Sequence, residues 1–332
     1  MERRSLNPLR ELALLAWLRR LIRAENADIV HGFTIKCAVY AAFAARLAGV
    51  ARVSAVAGMG YVFISEERRA RILRPIVRNL MRAVFGGARS RLILQNPDDL
   101  AFFETMGVTC SENIRLIPGS GVDCTRFLPP STDQRHEPLR VVLAARMLWD
   151  KGIGEFVEAA RRLRAENRPL EFILAGDPDR GNPAAIPESI LRDWQAEGLV
   201  EWLGHIDDMP TLLAGADIVV LPSYREGLPK TLIEAAACAR PLVTCDVPGC
   251  RHVVRDGVDG LLVPPRDAEA LARAIAKLQD DPELAASLGN MACLRALNEF
   301  DERIVIERTI AIYNELVPGN EAHAGPSRGT SG

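Results

Sequence analysis

The sequence lacks both long apolar runs and a secretory leader. The longest apolar stretches, such as residues 38–45, are far shorter than the roughly 20 residues that a membrane-spanning helix needs. No charged segment followed by an apolar one opens the chain. We therefore expect a protein that is made and kept in the cytoplasm.

Cysteine is sparse and scattered. The seven cysteines are an odd number and form no C-x-x-C pair, which fits reduced thiols better than a disulfide framework. Redox chemistry therefore has no support. Cys245, Cys250 and His252 are close in sequence, but they lack a fourth partner and the usual spacing of a zinc site. We interpret them as incidental and predict no metal site.

The chain also lacks a strong net charge, but its two halves differ. The net charge is -2, whereas residues 1–130 carry 19 basic and 11 acidic side chains and the remainder carries 22 and 32. Opposite signs indicate two units. A basic first half favours an anionic partner, which could be a membrane surface, a nucleic acid or a phosphorylated acceptor.

The order of helices and strands predicts an α/β protein. The first half gives about four strands and begins with a helix, and the second half gives about six. Continuous apolar strands such as 218–221 indicate a parallel sheet that is buried on both faces. We predict one domain over 1–130, a second over 131–300, a helix over 301–316 that returns to the first domain, and a disordered tail over 317–332.

Residues 221–234 carry the strongest local pattern. A buried strand is followed by a loop with Glu226 and Gly227, and Pro229 suits the first turn of a helix. The amides of such a helix start bind anions, and glycine lets a ligand approach the backbone. Glu226 and Glu234 could then accept hydrogen bonds from sugar or ribose hydroxyls. The alternative is that Glu226 caps the helix and Glu234 is solvated.

Two cations, Arg146 and Lys151, follow the first strand of the second half. In an open parallel sheet, ligands collect at the carboxyl ends of the strands near the switch in strand order. Both cations should therefore reach the crevice that Gly227 borders. Two cations and a helix start suit a diphosphate. A surface salt bridge is the alternative for each residue.

Residues 66–91 contain eight arginines among apolar side chains. The segment is either a solvated basic face on a core helix or a helix that rests on anionic lipid headgroups. Nucleic acid is not an expected partner, because the basic residues form no recognisable nucleic-acid-binding motif.

Two weaker signals remain. His31, at a strand end, either packs in the core or contacts an acceptor. Asp177 and Asp179 imitate a D-x-D metal site, but their position after a strand indicates ordinary turn chemistry.

Taken together, these groups resemble glycosyltransferase family 4, the retaining enzymes of the GT-B fold. The likeness spans about residues 4–316. The nearest subset looks like bacterial enzymes that extend polyprenyl-diphosphate-linked sugars for surface polysaccharide such as capsule or lipopolysaccharide. The strings that carry the likeness are Ser5-Leu6-Asn7-Pro8, Asp28 to Lys36, Gly58 to Phe63, Gln95 to Asp99, Glu226 to Glu234 with seven residues between the two glutamates, and Val247-Pro248-Gly249-Cys250.

The resemblance implies two Rossmann-like, doubly wound domains, of which the first is incomplete. It also implies that Glu226 is the catalytic residue facing the donor sugar and that Glu234 binds the ribose. The groups implied to bind the diphosphate, without any metal or other cofactor, are Arg146, Lys151, Gly227 and Leu228. The acceptor-side candidates are His31, Gly58 and Gly60.

The expected function is transfer, with retention, of a hexosyl or N-acetylhexosaminyl group from a UDP-sugar. The acceptor would be a polyprenyl-diphosphate-linked glycan, met at the cytoplasmic face of an anionic membrane. The alternative is a non-catalytic chain, truncated or accessory, that only binds nucleotide.

Three departures from the family pattern stand out. Ser5 to Pro8 lies well inside the first domain of family members, so we expect roughly the first 70 residues to be missing. Ala57 stands where many relatives have a histidine. Ala239 stands where the family usually has the glycine that ends the Glu234 helix, so we expect strain in that turn.

Overall fold

The computed structural model describes residues 8–56, 68–130 and 135–317. These residues form two compact units: one holds the described residues up to Ile117 and those from Ile306 onward, and the other holds those of Pro118–Val305. Within the described ranges, no helix combines the length and the apolar character that crossing a membrane requires.

The first unit is built on a four-stranded parallel sheet with the strand order β1-β2-β3-β4. Each strand pairs with the next one along the chain, and right-handed crossovers then place the connecting helices on the same face of the sheet. The strands are β1 (Ile29–Phe33), β2 (Ala51–Val56), β3 (Ser90–Leu94) and β4 (Ile114–Leu116).

Local signals set the ends of the helices in this unit. Gly49 ends the second helix in the left-handed conformation, at φ 77°. The side chain of Asn96 accepts the amide of Asp99 and so caps the fourth helix. The helices are α1 (Pro8–Ala24), α2 (Ile35–Ala48), α3 (Arg68–Phe85) and α4 (Pro97–Thr105).

The second unit contains a six-stranded parallel sheet with the order β10-β9-β8-β5-β6-β7. From β5 the chain adds β6 and β7 on one side of the sheet, and it then crosses to the other side of β5 to add β8, β9 and β10. The neighbours β5 and β8 therefore mark the switch in strand order. The strands are β5 (Leu139–Ala144), β6 (Leu170–Ala175), β7 (Glu201–Trp202), β8 (Ile218–Leu221), β9 (Leu242–Cys245) and β10 (Leu261–Val263).

Helices connect these strands, and their apolar sides and the sheet form one continuous buried core. A last helix, α12 (Glu302–Leu316), continues into the first unit from Ile306 onward. The others are α5 (Ile153–Ala165), α6 (Glu188–Ala196), α7 (Met209–Ala214), α8 (Lys230–Ala237), α9 (Cys250–Val253), α10 (Ala268–Asp280) and α11 (Pro282–Arg295).

The predicted α/β architecture with two parallel sheets is confirmed. The division between the units differs from the predicted boundary at residue 130, because it falls after Ile117. The reason is that Val122, Cys124 and Phe127 are buried in the core of the second unit. The predicted tail falls almost entirely on residues 318–332, which lie outside the described part of the chain.

The turn after α8 has the strain that the sequence predicts. Ala239 adopts φ 54°, in the left-handed region that disfavours a side chain. Its amide donates to Ala236 and the amide of Arg240 donates to Ala235, which is a Schellman ending made without glycine. The α11 residue Gly289 packs so closely on this turn that a Cβ there would lie 2.3 Å from the Ala239 carbonyl oxygen.

We predict that Ala239→Gly stabilises the second unit. Removing Cβ from a left-handed residue relieves about 1–2 kcal/mol, and the greater freedom of glycine in the unfolded chain offsets part of that gain. The expected net rise in the free energy of unfolding is about 0.5–1 kcal/mol. Urea unfolding followed by tryptophan fluorescence measures it.

Gly198→Ala is the matched control, since Gly198 ends α6 in the same motif at φ 69°. This variant should lose stability by a similar amount. Equal stability of Ala239→Gly and the parent would show that the turn carries no strain.

Candidate active site

The carboxyl ends of the strands in the second unit border a cavity of about 410 Å³. It lies beside the switch in strand order, where open parallel sheets bind ligands. The lining comes from the ends of β5 and β6, the loop after β7 and the first turns of α8. The charged or titratable residues in that lining are Arg146, Asp177, Asp179, His205, Lys230 and Glu234.

Glu226 lies in the loop between β8 and α8 and is held by two side chains. Its Oε1 accepts a hydrogen bond from Ser223 Oγ at 2.7 Å, and Lys151 Nζ forms an ion pair with the same oxygen. The backbone is held as well, because the Glu226 amide donates to the Pro248 carbonyl at 3.1 Å. The structure therefore brings the predicted Lys151 to Glu226.

Two glycines let the neighbouring backbone approach this loop. A Cβ at Gly152 would lie 2.1 Å from the Pro222 carbonyl oxygen, and one at Gly249 would lie 2.5 Å from that of Glu226. Both glycines have positive φ, 73° and 85°. Only glycine satisfies both requirements at these positions, so the Glu226 loop is fixed from two sides.

Glu234 extends from the second turn of α8 and is 7% exposed. Burial raises the pKa of its carboxyl, and Lys230, 3.4 Å away, partly opposes that rise. The alternative of a solvated Glu234 is therefore wrong. The alternative that Glu226 caps the helix is also wrong, because Pro229 occupies the cap position and no side-chain cap forms.

Arg146 follows β5 and pairs with Asp179 in the loop after β6, with Nη1 2.5 Å from Oδ2. Its side chain is 55% exposed. The alternative of a salt bridge thus describes a contact that Arg146 does make, although both partners line the cavity. The Lys151–Glu226 pair, in contrast, is largely buried.

The diphosphate candidates Gly227 and Leu228 lie in the same loop as Glu226. Leu228 packs over Gly119, where an added Cβ would lie 3.0 Å from Leu228 Cδ2. The loop leads into α8, whose first amides receive no side-chain cap. An uncapped helix start is suited to an anion.

Sequence reasoning missed three contributors to this site: Ser223, Lys230 and Gly249. The signal for Lys230 was present, because a lysine four residues before a glutamate on a helix pairs with it. Ser223 and Gly249 act through contacts between separate loops, which no local spacing encodes.

The cysteines and aspartates that could imitate a metal site are placed as follows. Among residues 8–56, 68–130 and 135–317, no three His, Cys, Asp or Glu side chains group as metal ligands. Cys245 and Cys250 are buried, and burial raises the pKa of each thiol to about 12. Asp179 accepts the Asn182 amide through its backbone carbonyl, as a turn residue does.

On the acceptor side, the first unit places His31 in β1 beside α12. Its Nδ1 is hydrogen bonded to Tyr313 Oη at 2.7 Å, and its ring stacks on Phe33 with centroids 4.1 Å apart. Burial lowers the pKa of His31 to about 4, so the ring is neutral near pH 7. Its buried Nε2 has no hydrogen-bond partner within the part of the chain that the structure describes. Gly58 and Gly60 lie outside the described residues.

Family models match both halves of the chain. A model described as "Glycosyl transferase 4-like" matches residues 1–95, and one described as "Glycosyl transferases group 1" matches residues 138–281. The second match contains every donor-side candidate named above.

Two similar curated proteins cover most of the chain. One, from Campylobacter jejuni, is N,N'-diacetylbacillosaminyl-diphospho-undecaprenol alpha-1,3-N-acetylgalactosaminyltransferase, 29% identical over 95% of this chain and 84% of the relative. Another, from Escherichia coli, is UDP-Gal:alpha-D-GlcNAc-diphosphoundecaprenol alpha-1,3-galactosyltransferase, 27% identical over 85% of this chain and 74% of the relative.

Solved structures share the fold. Anabaena Alr3699/HepE in complex with UDP-glucose has a TM-score of 0.78 at 22% identity, over 93% of this chain and 84% of that one. Sucrose-phosphate synthase from Thermosynechococcus elongatus has a TM-score of 0.77 at 22% identity, over 95% and 80%. The predicted GT-B architecture is confirmed by these likenesses.

We predict that His31 makes the first unit sensitive to acid. Its folded pKa of about 4 lies below the ordinary value of 6.5, so between these values the unfolded chain binds a proton that the folded chain does not. Stability should therefore fall as the pH drops from 6.5 to 4. Thermal unfolding across this range should show a decline in Tm that His31→Asn reduces by about 2 °C or more.

His205→Asn is the control, because His205 has a side chain that is 69% exposed. It should leave the acid sensitivity of the parent unchanged. Parallel declines in the parent and in His31→Asn would contradict the prediction.

Proposed function

This chain belongs to glycosyltransferase family 4, and we propose that it transfers a hexosyl or N-acetylhexosaminyl group from a UDP-sugar to a polyprenyl-diphosphate-linked sugar. The observation that carries the donor half of the proposal is the cavity at the end of β5. It combines an exposed cation, Arg146, with a buried carboxylate, Glu234, beside the loop that bears Glu226. A nucleotide diphosphate needs such a combination of groups.

Each group has a proposed role. Glu234 accepts hydrogen bonds from the ribose hydroxyls, and Glu226, oriented by Lys151 and Ser223, contacts the donor sugar. The charge that develops on the departing diphosphate is met by Arg146 and by the start of α8 together with Gly227 and Leu228. These contacts act electrostatically, so we assign no metal or other cofactor to the reaction.

The acceptor half of the proposal rests on the similar proteins. The names of the relatives in Campylobacter jejuni and Escherichia coli both specify an undecaprenol-diphosphate-linked sugar as acceptor. We propose the same class of acceptor here, with retention at the transferred sugar, in the assembly of surface polysaccharide. His31 and the segment with Gly58 and Gly60 are the acceptor-side candidates.

A lipid-linked acceptor requires contact with the cytoplasmic face of a membrane, and α3 is the proposed element. One side of α3 is core, since Met81, Val84 and Phe85 are buried. Another side of the helix exposes Ile76 at 60% and Leu80 at 41%. Exposed apolar side chains in an arginine-rich helix without acidic residues suit an anionic bilayer better than water.

The helix α1 also exposes apolar side chains. Both α1 and α3 pack against α2, and α1 exposes Leu12, Trp17 and Leu21. Tryptophan is favoured at the level of lipid headgroups. The exposed part of α3 is basic and apolar at the same time, which is the combination that peripheral membrane proteins use.

The donor assignment predicts that UDP binds to the parent chain and that Arg146→Ala and Glu234→Ala each weaken it by about tenfold or more. One variant loses a charged contact to the diphosphate and the other loses the acceptor for the ribose. Isothermal titration calorimetry with UDP, and then with UDP-sugars, measures the affinities.

Arg273→Ala is the control, because Arg273 forms an exposed ion pair on α10 with Glu269. It should bind UDP as the parent does. If the parent fails to bind UDP, the proposed donor is wrong. If it binds but transfers no sugar to a polyprenyl-diphosphate-linked acceptor, the chain only binds nucleotide.

The membrane assignment predicts binding to phosphatidylcholine vesicles only when they contain phosphatidylglycerol. Ile76→Glu and Leu80→Glu should each weaken the binding by about tenfold, since each replaces an inserted apolar group with a repelled charge. Co-sedimentation with vesicles measures the bound fraction.

Ile310→Glu makes the same change at an exposed position of α12 and serves as the control. It should bind as the parent does. Equal partitioning of the parent onto neutral and anionic vesicles would refute the proposal that α3 binds an anionic membrane.

A further inference from the structure

The Asp177-Pro178-Asp179 segment makes a side-chain contact that turn chemistry does not explain. Asp179 Oδ2 lies 2.5 Å from Arg146 Nη1, and it also accepts a hydrogen bond from Asn182 Nδ2 at 3.3 Å. The Asp179 side chain is 21% exposed, whereas that of Arg146 is 55% exposed. The cation proposed to bind the diphosphate therefore already has a carboxylate partner inside the cavity.

The backbone fixes the distance between the two loops that carry this pair. The Met147 amide donates to Asp177 at 3.0 Å, and the Ile186 amide donates to Met147 at 3.0 Å. The Trp149 amide donates to Ala184 at 2.8 Å. These bonds join the loop after β5 to the loop after β6 on both sides of the ion pair.

The two partners differ in side-chain length and exposure. Asp179 has a short side chain in a hydrogen-bonded turn, and Arg146 has a long, flexible side chain that is mostly exposed. A guanidinium can exchange one oxyanion for another with little change in geometry, because carboxylate and phosphate present similar pairs of oxygens. Arg146 can thus move to a ligand while Asp179 stays in place.

The charges around the cavity favour such an exchange. Its lining holds two cations, Arg146 and Lys230, against three carboxylates, Asp177, Asp179 and Glu234. A nucleoside diphosphate adds at least two more negative charges. If Arg146 stayed on Asp179, the diphosphate would meet an excess of negative charge.

We propose that Asp179 is a positioning residue that competes with the diphosphate of the nucleotide for Arg146. It holds Arg146 before the donor arrives, yields it to the donor, and takes it back as the nucleoside diphosphate product leaves. The inference rests on the proposed function, because it requires a diphosphate at Arg146. Asp179 does not contact the reacting atoms and acts through Arg146 alone.

This role has a distinct kinetic signature. The negative charge of Asp179 weakens the binding of the donor and of the product alike. Its removal should therefore strengthen the binding of both. Uniformly stronger binding lowers KM without raising kcat, and slower product release lowers kcat where release limits turnover. A residue that merely held Arg146 ready for the donor would give the opposite change in affinity.

The test is calorimetry with UDP on Asp179→Asn, which keeps the shape and removes the charge. We expect UDP to bind about fivefold more tightly, which matches the upper range for one exposed ion pair. With a UDP-sugar that turns over, KM should fall and kcat should stay equal or decline. Asp177→Asn is the matched control, since Asp177 lines the same cavity two residues away and forms no ion pair with Arg146 among the described residues.

A double-mutant cycle separates competition for Arg146 from a general charge effect. In an Arg146→Ala background, Asp179→Asn should no longer change UDP affinity. Weaker binding by Asp179→Asn would overturn the inference, and so would an equal gain in Asp177→Asn or a gain that persists without Arg146.

Failure of the donor assignment is distinguishable from failure of this inference. If the parent binds UDP and Asp179→Asn binds it equally well, only the role of Asp179 is wrong. If the parent does not bind UDP, ADP, GDP and dTDP are titrated in turn, and the one that binds is used for the same cycle. Binding of none of them overturns both proposals.

Discussion

The close approach of two loops at the switch in strand order is the constraint on which the rest of the site depends. Gly152 ends the turn after β5 with its Cα against the carbonyl of Pro222, where β8 ends, and leaves no room for a side chain. That contact brings Lys151 to Glu226. A side chain at Gly152 would push the two loops apart and expose this largely buried ion pair to water.

The topology of the sheet explains why the contact forms there. β5 and β8 are neighbours in space but lie far apart in sequence, since β6 and β7 are built on the other side of β5. The helices that follow β5 and β8 therefore lead to opposite faces of the sheet, and a crevice forms at the carboxyl ends of the strands beside this switch. Gly249, in the loop after β9, closes the far side of the Glu226 loop.

Much of this could be predicted from the sequence, because strands, helix starts and the spacing of Glu226 and Glu234 are local properties. The pairing of side chains could not. Arg146 and Lys151 were both predicted to meet a diphosphate, yet one contacts Asp179 and the other Glu226. Such partners come from different loops, and their contacts depend on distances that only the folded sheet sets.

Each charged group proposed to contact the donor is already paired with an opposite charge. Lys151 is paired with Glu226, Arg146 with Asp179, and Glu234 with Lys230. Partly buried charges require such partners, because desolvation without one is costly. Under the proposed function, donor binding is therefore an exchange of partners rather than an addition of contacts, and part of each new interaction replaces one that is lost. The same exchange in reverse favours release of the charged product, which a site of unpaired cations would retain.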